Sequence, residues 1–125
     1  MVWQNAPDSN ATNVLGIMSR YFVQASYTQQ DVAGLVHSPE DRSGELKALS
    51  KSVGGKVITF DYWFGELDVA VILETPDDTT MASLSKVLGG SGAVTNMRTT
   101  VLIPVADGFA AAQKAKSITY GAPGQ

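Results

Sequence analysis

The side chains best suited to chemistry in this chain are Asp61, Asp68 and Arg98, which fall on strand-like segments with Trp63. A carboxylate enclosed beside an aromatic ring loses solvation, which disfavours its charge and suits it to proton transfer near neutral pH. The same carboxylate beside a guanidinium makes a structural ion pair, and such pairs perturb carboxylates without catalysis. Two structural roles for Asp68 therefore stand beside the chemical one: an ion pair with Arg98, or hydrogen bonds to backbone groups near a hairpin. His37 is the only histidine, and histidine is the usual general base near neutral pH. It directly precedes Ser38 at a helix junction, with no carboxylate aligned to orient it, which favours a surface or capping role. The catalytic candidates are thus Asp68, Arg98 and His37. The ligand-binding candidates are Phe22, Gln24, Asp61, Trp63, Asp68 and Arg98.

Other chemistries lack their parts. There is no cysteine, so thiolate catalysis, disulfides and thiolate metal sites are excluded together. One histidine and no cysteine leave no set of ligands for a transition metal, and no cofactor is expected. Asp77-Asp78 falls in the first turn of a predicted helix, where acids complement the helix dipole, and reads as capping rather than calcium binding. Leu88-Gly89-Gly90-Ser91-Gly92 is glycine-rich but follows a helix and precedes a strand, the reverse of a phosphate cradle. No Gly-x-Ser-x-Gly elbow or Ser/His/Asp set can be assembled.

With 125 residues, 44% hydrophobic and 17% charged, the chain suits one globular domain with a core of its own. A net charge of −3 without a basic stripe argues against nucleic acid. Residues 1–17 contain no Lys or Arg and no long apolar run, so they read as neither a secretory signal nor a membrane anchor. The expectation is a cytoplasmic protein, and the Asn10-Ala11-Thr12 sequon is taken as chance. Residues 1–17 read as a flexible extension, folding back at most through Trp3, and Met18 reads as an alternative natural start. The folded domain is placed at 18–117 and a flexible tail at 118–125.

The candidate residues must be positioned by four strands. Arg20 to Tyr27 is aromatic and β-branched and predicts the first. Thr28 then caps a short helix over Gln29 to Val36, with Asp31 at its third position. Ser38-Pro39-Glu40-Asp41 predicts a second helix, capped by Ser38 with Pro39 at its first position. Its apolar stripe is Leu46, Leu49 and Val53, and Gly54-Gly55 ends it. Lys56 to Phe64 and Leu67 to Glu74 predict two strands joined by Gly65-Glu66 in a type II′ hairpin. Pro76-Asp77-Asp78 opens a helix to about Leu88, Ala93 to Ile103 forms the fourth strand, and Asp107 to Lys116 forms a last, Ala-rich helix. The order is β-α-β-β-α-β plus a C-terminal helix, an α+β arrangement of the ferredoxin-like type.

The hairpin register separates two faces. Phe64 is expected opposite Leu67, Tyr62 opposite Val69, Phe60 opposite Val71, and Ile58 opposite Leu73, all under the helices. On the other face Trp63 meets Asp68, Asp61 meets Ala70, and Thr59 meets Ile72. There Phe22, Trp63, Ile72 and Leu102 project among Gln24, Ser26, Asp68 and Arg98. Leaving such side chains in water forgoes about 1.5 to 3 kcal/mol for each one that burial would cover. A second copy of the sheet is the natural cover, which predicts a homodimer, or a higher oligomer built from it, closed into a barrel across a twofold axis.

These segments resemble a known family. Tyr21-Phe22-Val23 with Tyr27-Thr28, Ser38 to Arg42, Leu49 with Gly54-Gly55-Lys56, Trp63 to Val69, Glu74 to Asp78, and Gly92 to Val94 with Arg98-Thr99-Thr100 are similar to the GYD-domain family of small bacterial and archaeal proteins. The resemblance runs from about Arg20 to Lys116. The family signature, Phe-Gly-Glu-Tyr-Asp, stands here as Phe64-Gly65-Glu66-Leu67-Asp68, with leucine in place of tyrosine. The family implies a dimeric α/β barrel and no general activity. Three functions remain open: a dimeric small-molecule binding protein with its pocket on the open sheet face, a cofactor-independent enzyme (isomerase, cyclase or monooxygenase-like) using an inward-facing carboxylate, or an oligomerising subunit of a larger assembly.

Overall fold

A computed structural model describes residues 18–124. The N-terminal extension with Trp3, the Asn10 sequon, and Gln125 lie outside the described residues. The described residues form four strands and four helices: β1 Ser19–Tyr27, α1 Gln29–His37, α2 Ser43–Ser52, β2 Lys56–Tyr62, β3 Val69–Thr75, α3 Asp78–Gly89, β4 Val94–Leu102 and α4 Val105–Lys116. One sheet runs in the order β2-β3-β1-β4, and every neighbouring pair is antiparallel. The architecture is α+β.

Alternation along the two central strands creates the core. Tyr21, Val23 and Ala25 of β1 and Val69, Val71 and Leu73 of β3 are buried, whereas Phe22, Gln24, Ala70 and Ile72 between them are half-buried. The buried set faces α3 through Met81 and Leu84 and α2 through Leu46 and Leu49. Neither α1 nor α4 buries a residue. Two caps match the residues that predicted them. Thr28 accepts from the Asp31 amide, and Asp77 accepts from both the amide and the hydroxyl of Thr80.

The helix predicted from Ser38 begins later. Ser38 closes α1, its amide donating to the Gly34 carbonyl at 2.8 Å, and α2 starts at Ser43. The Asp41 carboxylate takes the amide and hydroxyl of Ser43, and Arg42 reaches back to Asp31 and Glu40. These local side-chain bonds hold residues 39–42 outside a helix. Of the predicted stripe, Leu46 and Leu49 pack on the core, while Val53 lies past the helix end and is exposed. Gly54 follows with φ +80°, the left-handed geometry that favours glycine at a helix end.

The β2–β3 pairing also departs from its predicted register at both ends. A bulge between Val57 and Thr59 sets Val57, not Ile58, opposite Leu73, with Phe60 opposite Val71 and Tyr62 opposite Val69 as expected. Ile58 is the extra residue and is exposed. At the other end the Trp63 amide donates to the Asp68 carbonyl at 2.7 Å, so those two residues stay opposed, but the connection is no two-residue hairpin. Gly65 lacks the positive φ that a II′ turn needs. Phe64 stands out in solvent while Leu67 is 1% exposed, so the expected Phe64–Leu67 pair is not made. The cause lies in β1: the Ala25 carbonyl takes the Asp68 amide, and the Tyr27 amide donates to the Asp68 carboxylate. Both bonds fix the chain at Asp68 and leave the turn to bend outward.

This turn predicts opposite outcomes for its two apolar residues. Leu67→Ala should cost about 2 to 5 kcal/mol, whereas Phe64→Ser should stay within about 0.5 kcal/mol of the parent, as measured by urea unfolding.

Candidate functional site

Each face of the sheet presents a distinct candidate. On the face away from the helices, cross-strand pairing sets residues in rows. One row reads Asp61, Ala70, Gln24, Arg98 from β2 to β4, and the next reads Thr59, Ile72, Phe22, Thr100. A third row pairs Glu74 with Arg20, joined by an ion pair at 2.8 Å, and Arg20 with Leu102. Phe22, Gln24, Asp61 and Arg98 therefore share one face, as their spacing predicts.

The ion pair expected between Asp68 and Arg98 is not formed. The Asp68 carboxylate accepts the Tyr27 amide at 2.8 Å, which is the backbone-bonding role the sequence left open. Arg98 is exposed in β4 and makes no ion pair among the described residues. Asp61 and Arg98 stand at opposite edges of the sheet, three strand spacings or about 14 Å apart, too far to bond within one chain. Trp63 is half-buried just beyond β2. His37 is exposed at the end of α1 and is not brought to the other two catalytic candidates.

On the opposite face lies an apolar cavity of about 300 Å³ between the sheet and α2. Its floor is Val23, Ala25, Val69 and Val71, and its roof includes Leu46 and Leu49. None of Phe22, Gln24, Asp61, Trp63, Asp68 or Arg98 lines it. Its polar lining is Tyr27, Arg42, Glu45 and Ser91, residues that sequence reasoning did not single out as a site.

Arg42 organises the polar rim. Its Nη1 and Nη2 donate to the two Asp31 oxygens at 3.1 and 3.0 Å, and its Nε donates to Glu40. Its guanidinium carbon sits 5.9 Å from the centre of the Tyr27 ring, within cation–π range. The hydrogen bonds that Arg42 donates to Asp31 push its pKa up, so the group stays charged. Burial, then the nearby Tyr62, raises the Tyr27 pKa above its ordinary value. Tyr62 packs edge-on against Phe60 at 5.4 Å. The signal that could have found this rim was the Asp31–Arg42 charge pair, which joins the first turn of α1 to the residue before α2, hidden by the expectation that a helix would begin at Ser38.

A second, shallower groove of about 610 Å³ runs between α3 and β4, past Tyr21, Met81, Met97 and Val101. Tyr21 donates its hydroxyl to Asp78 there. Burial and then that bond push its pKa up to about 12. Among the described residues, no cluster of three or more His, Cys, Asp or Glu side chains could hold a metal ion, and no helix is long and apolar enough to cross a membrane.

An antiparallel sheet with α2 and α3 packed on one face and a cavity between the sheet and α2 defines a small α+β domain. Residues 21–112 match the GYD domain family, and the chain belongs to it. No curated protein and no solved structure gives a significant match.

The two charged candidates should separate on mutation. Asp68→Ala leaves the Tyr27 amide unpaired and should cost about 1 to 3 kcal/mol, whereas Arg98→Ala should cost less than about 0.5 kcal/mol in dilute protein. Equal losses in thermal denaturation would restore the ion pair between them.

Proposed function

We propose that this protein is a homodimer of ferredoxin-like domains that binds a small apolar molecule in the helix-side cavity of each protomer. The observation that carries the ligand reading is the cavity itself. A volume of about 300 Å³ with an apolar floor and one polar rim is at the small end of ligand pockets. An apolar recess left open to water forgoes burial that an apolar ligand would supply. The enzyme reading draws no comparable support, because the Asp68 carboxylate is engaged with backbone and lines neither cavity.

Charge complementarity on the open face supports a second copy as its cover. Asp61 and Arg98 occupy the two ends of one row. A twofold axis lying between two open faces and running along the strands carries each β2 edge over the opposite β4 edge. Asp61 then stands against the partner's Arg98, twice over by symmetry, while Phe22 and Ile72 fill the centre. Two such sheets form the barrel, and a cytoplasmic location accords with the absence of cysteine.

Light scattering at micromolar concentration should give a dimer; a monomer there removes this assembly. Asp61→Arg should weaken dimerisation about tenfold or more, and adding Arg98→Asp to it should restore the affinity. For the cavity, calorimetry with 2-naphthol as probe should show saturable binding, one per protomer. Leu46→Trp, which fills the space from the roof, should abolish binding and leave the dimer intact. Absence of saturable binding, or unchanged binding to Leu46→Trp, would remove the ligand reading.

A further inference from the structure

We propose that the helix-side cavity selects an uncharged ligand, an apolar ring system bearing one hydroxyl or carbonyl oxygen, and rejects carboxylates despite the arginine at its rim. The inference rests on the ligand-binding reading above and names the class of molecule that site takes.

Arg42 looks like an anion anchor, since a guanidinium fork beside an apolar pocket is the usual way to hold a carboxylate. Its charge is already answered. Asp31 occupies both terminal nitrogens, Glu40 occupies Nε, and Glu45 approaches Nε at 3.9 Å. Three carboxylates therefore surround one guanidinium, and the rim is net negative. Asp31 and Arg42 keep only 16% and 20% of their side-chain surface exposed, so this pair is screened less than a surface pair. An incoming carboxylate would either displace Asp31 from its two bonds, leaving that acid uncompensated, or lie beside it with like charge.

What Arg42 retains is hydrogen-bonding capacity. Of its five N–H donors, three are taken, which leaves one on each terminal nitrogen. The Tyr27 phenol, protonated at neutral pH, adds a group that donates or accepts. A neutral oxygen can take these donors without competing for the charge, and the apolar floor of Val23, Val69 and Val71 takes the ring. A ligand ammonium has Glu45 as its nearest partner, and that side chain is 77% exposed, so it offers little in return for desolvating the cation.

The test compares three probes of one shape on the full-length protein by calorimetry: 2-naphthol, 2-naphthoate and 2-naphthylmethylammonium at neutral pH. The naphthol should bind at least about tenfold more tightly than either ion. Asp31→Asn, which withdraws the answering charge, should bring naphthoate to within a few fold of naphthol. Naphthoate or the ammonium binding wild-type protein as tightly as naphthol overturns the selectivity and leaves the ligand-binding reading standing. Binding of none of the three removes both. Should Asp31→Asn fail to fold, the wild-type ranking decides alone, and Glu40→Gln, which relieves the rim of one carboxylate, should narrow the gap between naphthoate and naphthol; an unchanged gap would count against the charge account.

Discussion

The pairing of β1 with β3 is the constraint on which both candidate surfaces depend. β1 is hydrogen-bonded on both sides, to β3 and to β4, so its register sets which side chains each face receives. The period of two then divides Tyr21, Val23 and Ala25 from Phe22, Gln24 and Ser26. A slip of one residue would exchange the cavity floor for the open face. Asp68 guards against that slip at the strand end. Its amide bonds the Ala25 carbonyl and its carboxylate bonds the Tyr27 amide, so one residue closes the ladder where regular pairing stops. That role explains an acid at this position without any chemistry.

The cavity arises from uneven cover over that sheet. At the Tyr21 end, Met81 and Leu84 of α3 fill the space and are almost fully buried. At the Tyr27 end the floor and wall carry Ala25 and Ala93, and the nearby α1 buries nothing. Small side chains below and a helix held away above leave room that large residues occupy elsewhere. The Asp31–Arg42 pair closes the rim with charge instead of hydrocarbon. A bulge in the β1–β4 ladder between Gln24 and Ser26, with Asn96 at φ +53°, falls at the same end, and Asn is among the residues that tolerate that geometry.

Much of the fold was legible because the strands carry strong period-two alternation and the helix starts carry capping residues. Thr28 and Asp77 act as read, and Val69, Val71 and Leu73 lie on the face assigned. The misreadings share a physical origin. Ile58 and Phe64 were placed by extending a perfect alternation, and a bulge and an outward turn are local backbone choices that alternation cannot report. Ser38-Pro39 has the composition of a helix start, but Asp41 and Arg42 outcompete it through side-chain bonds, one of them to a residue eleven positions away. The cavity was hidden for a further reason: empty space follows from the sizes of side chains on several elements, and no single motif encodes it. Phe22, Gln24, Asp61 and Arg98 share the face assigned to them, yet the apolar cavity lies on the other.

Partner and ligand, as proposed, would use alternate residues of the same two strands. Phe22 and Ile72 would meet a second copy, and Val23 and Val71 would meet the ligand, with one peptide unit between them. Backbone hydrogen bonds in β1 and β3 leave little freedom for either strand to move alone, so a shift on one face must be carried to the other by the sheet as a body. The edge strands are less bound: β2 is mostly exposed along its length, and its Phe60 lines the cavity while Asp61 next to it faces the open side. Any coupling between occupancy of the cavity and assembly of the sheets would therefore run through β2, where one residue touches the ligand space and its neighbour supplies the charge for the twofold contact.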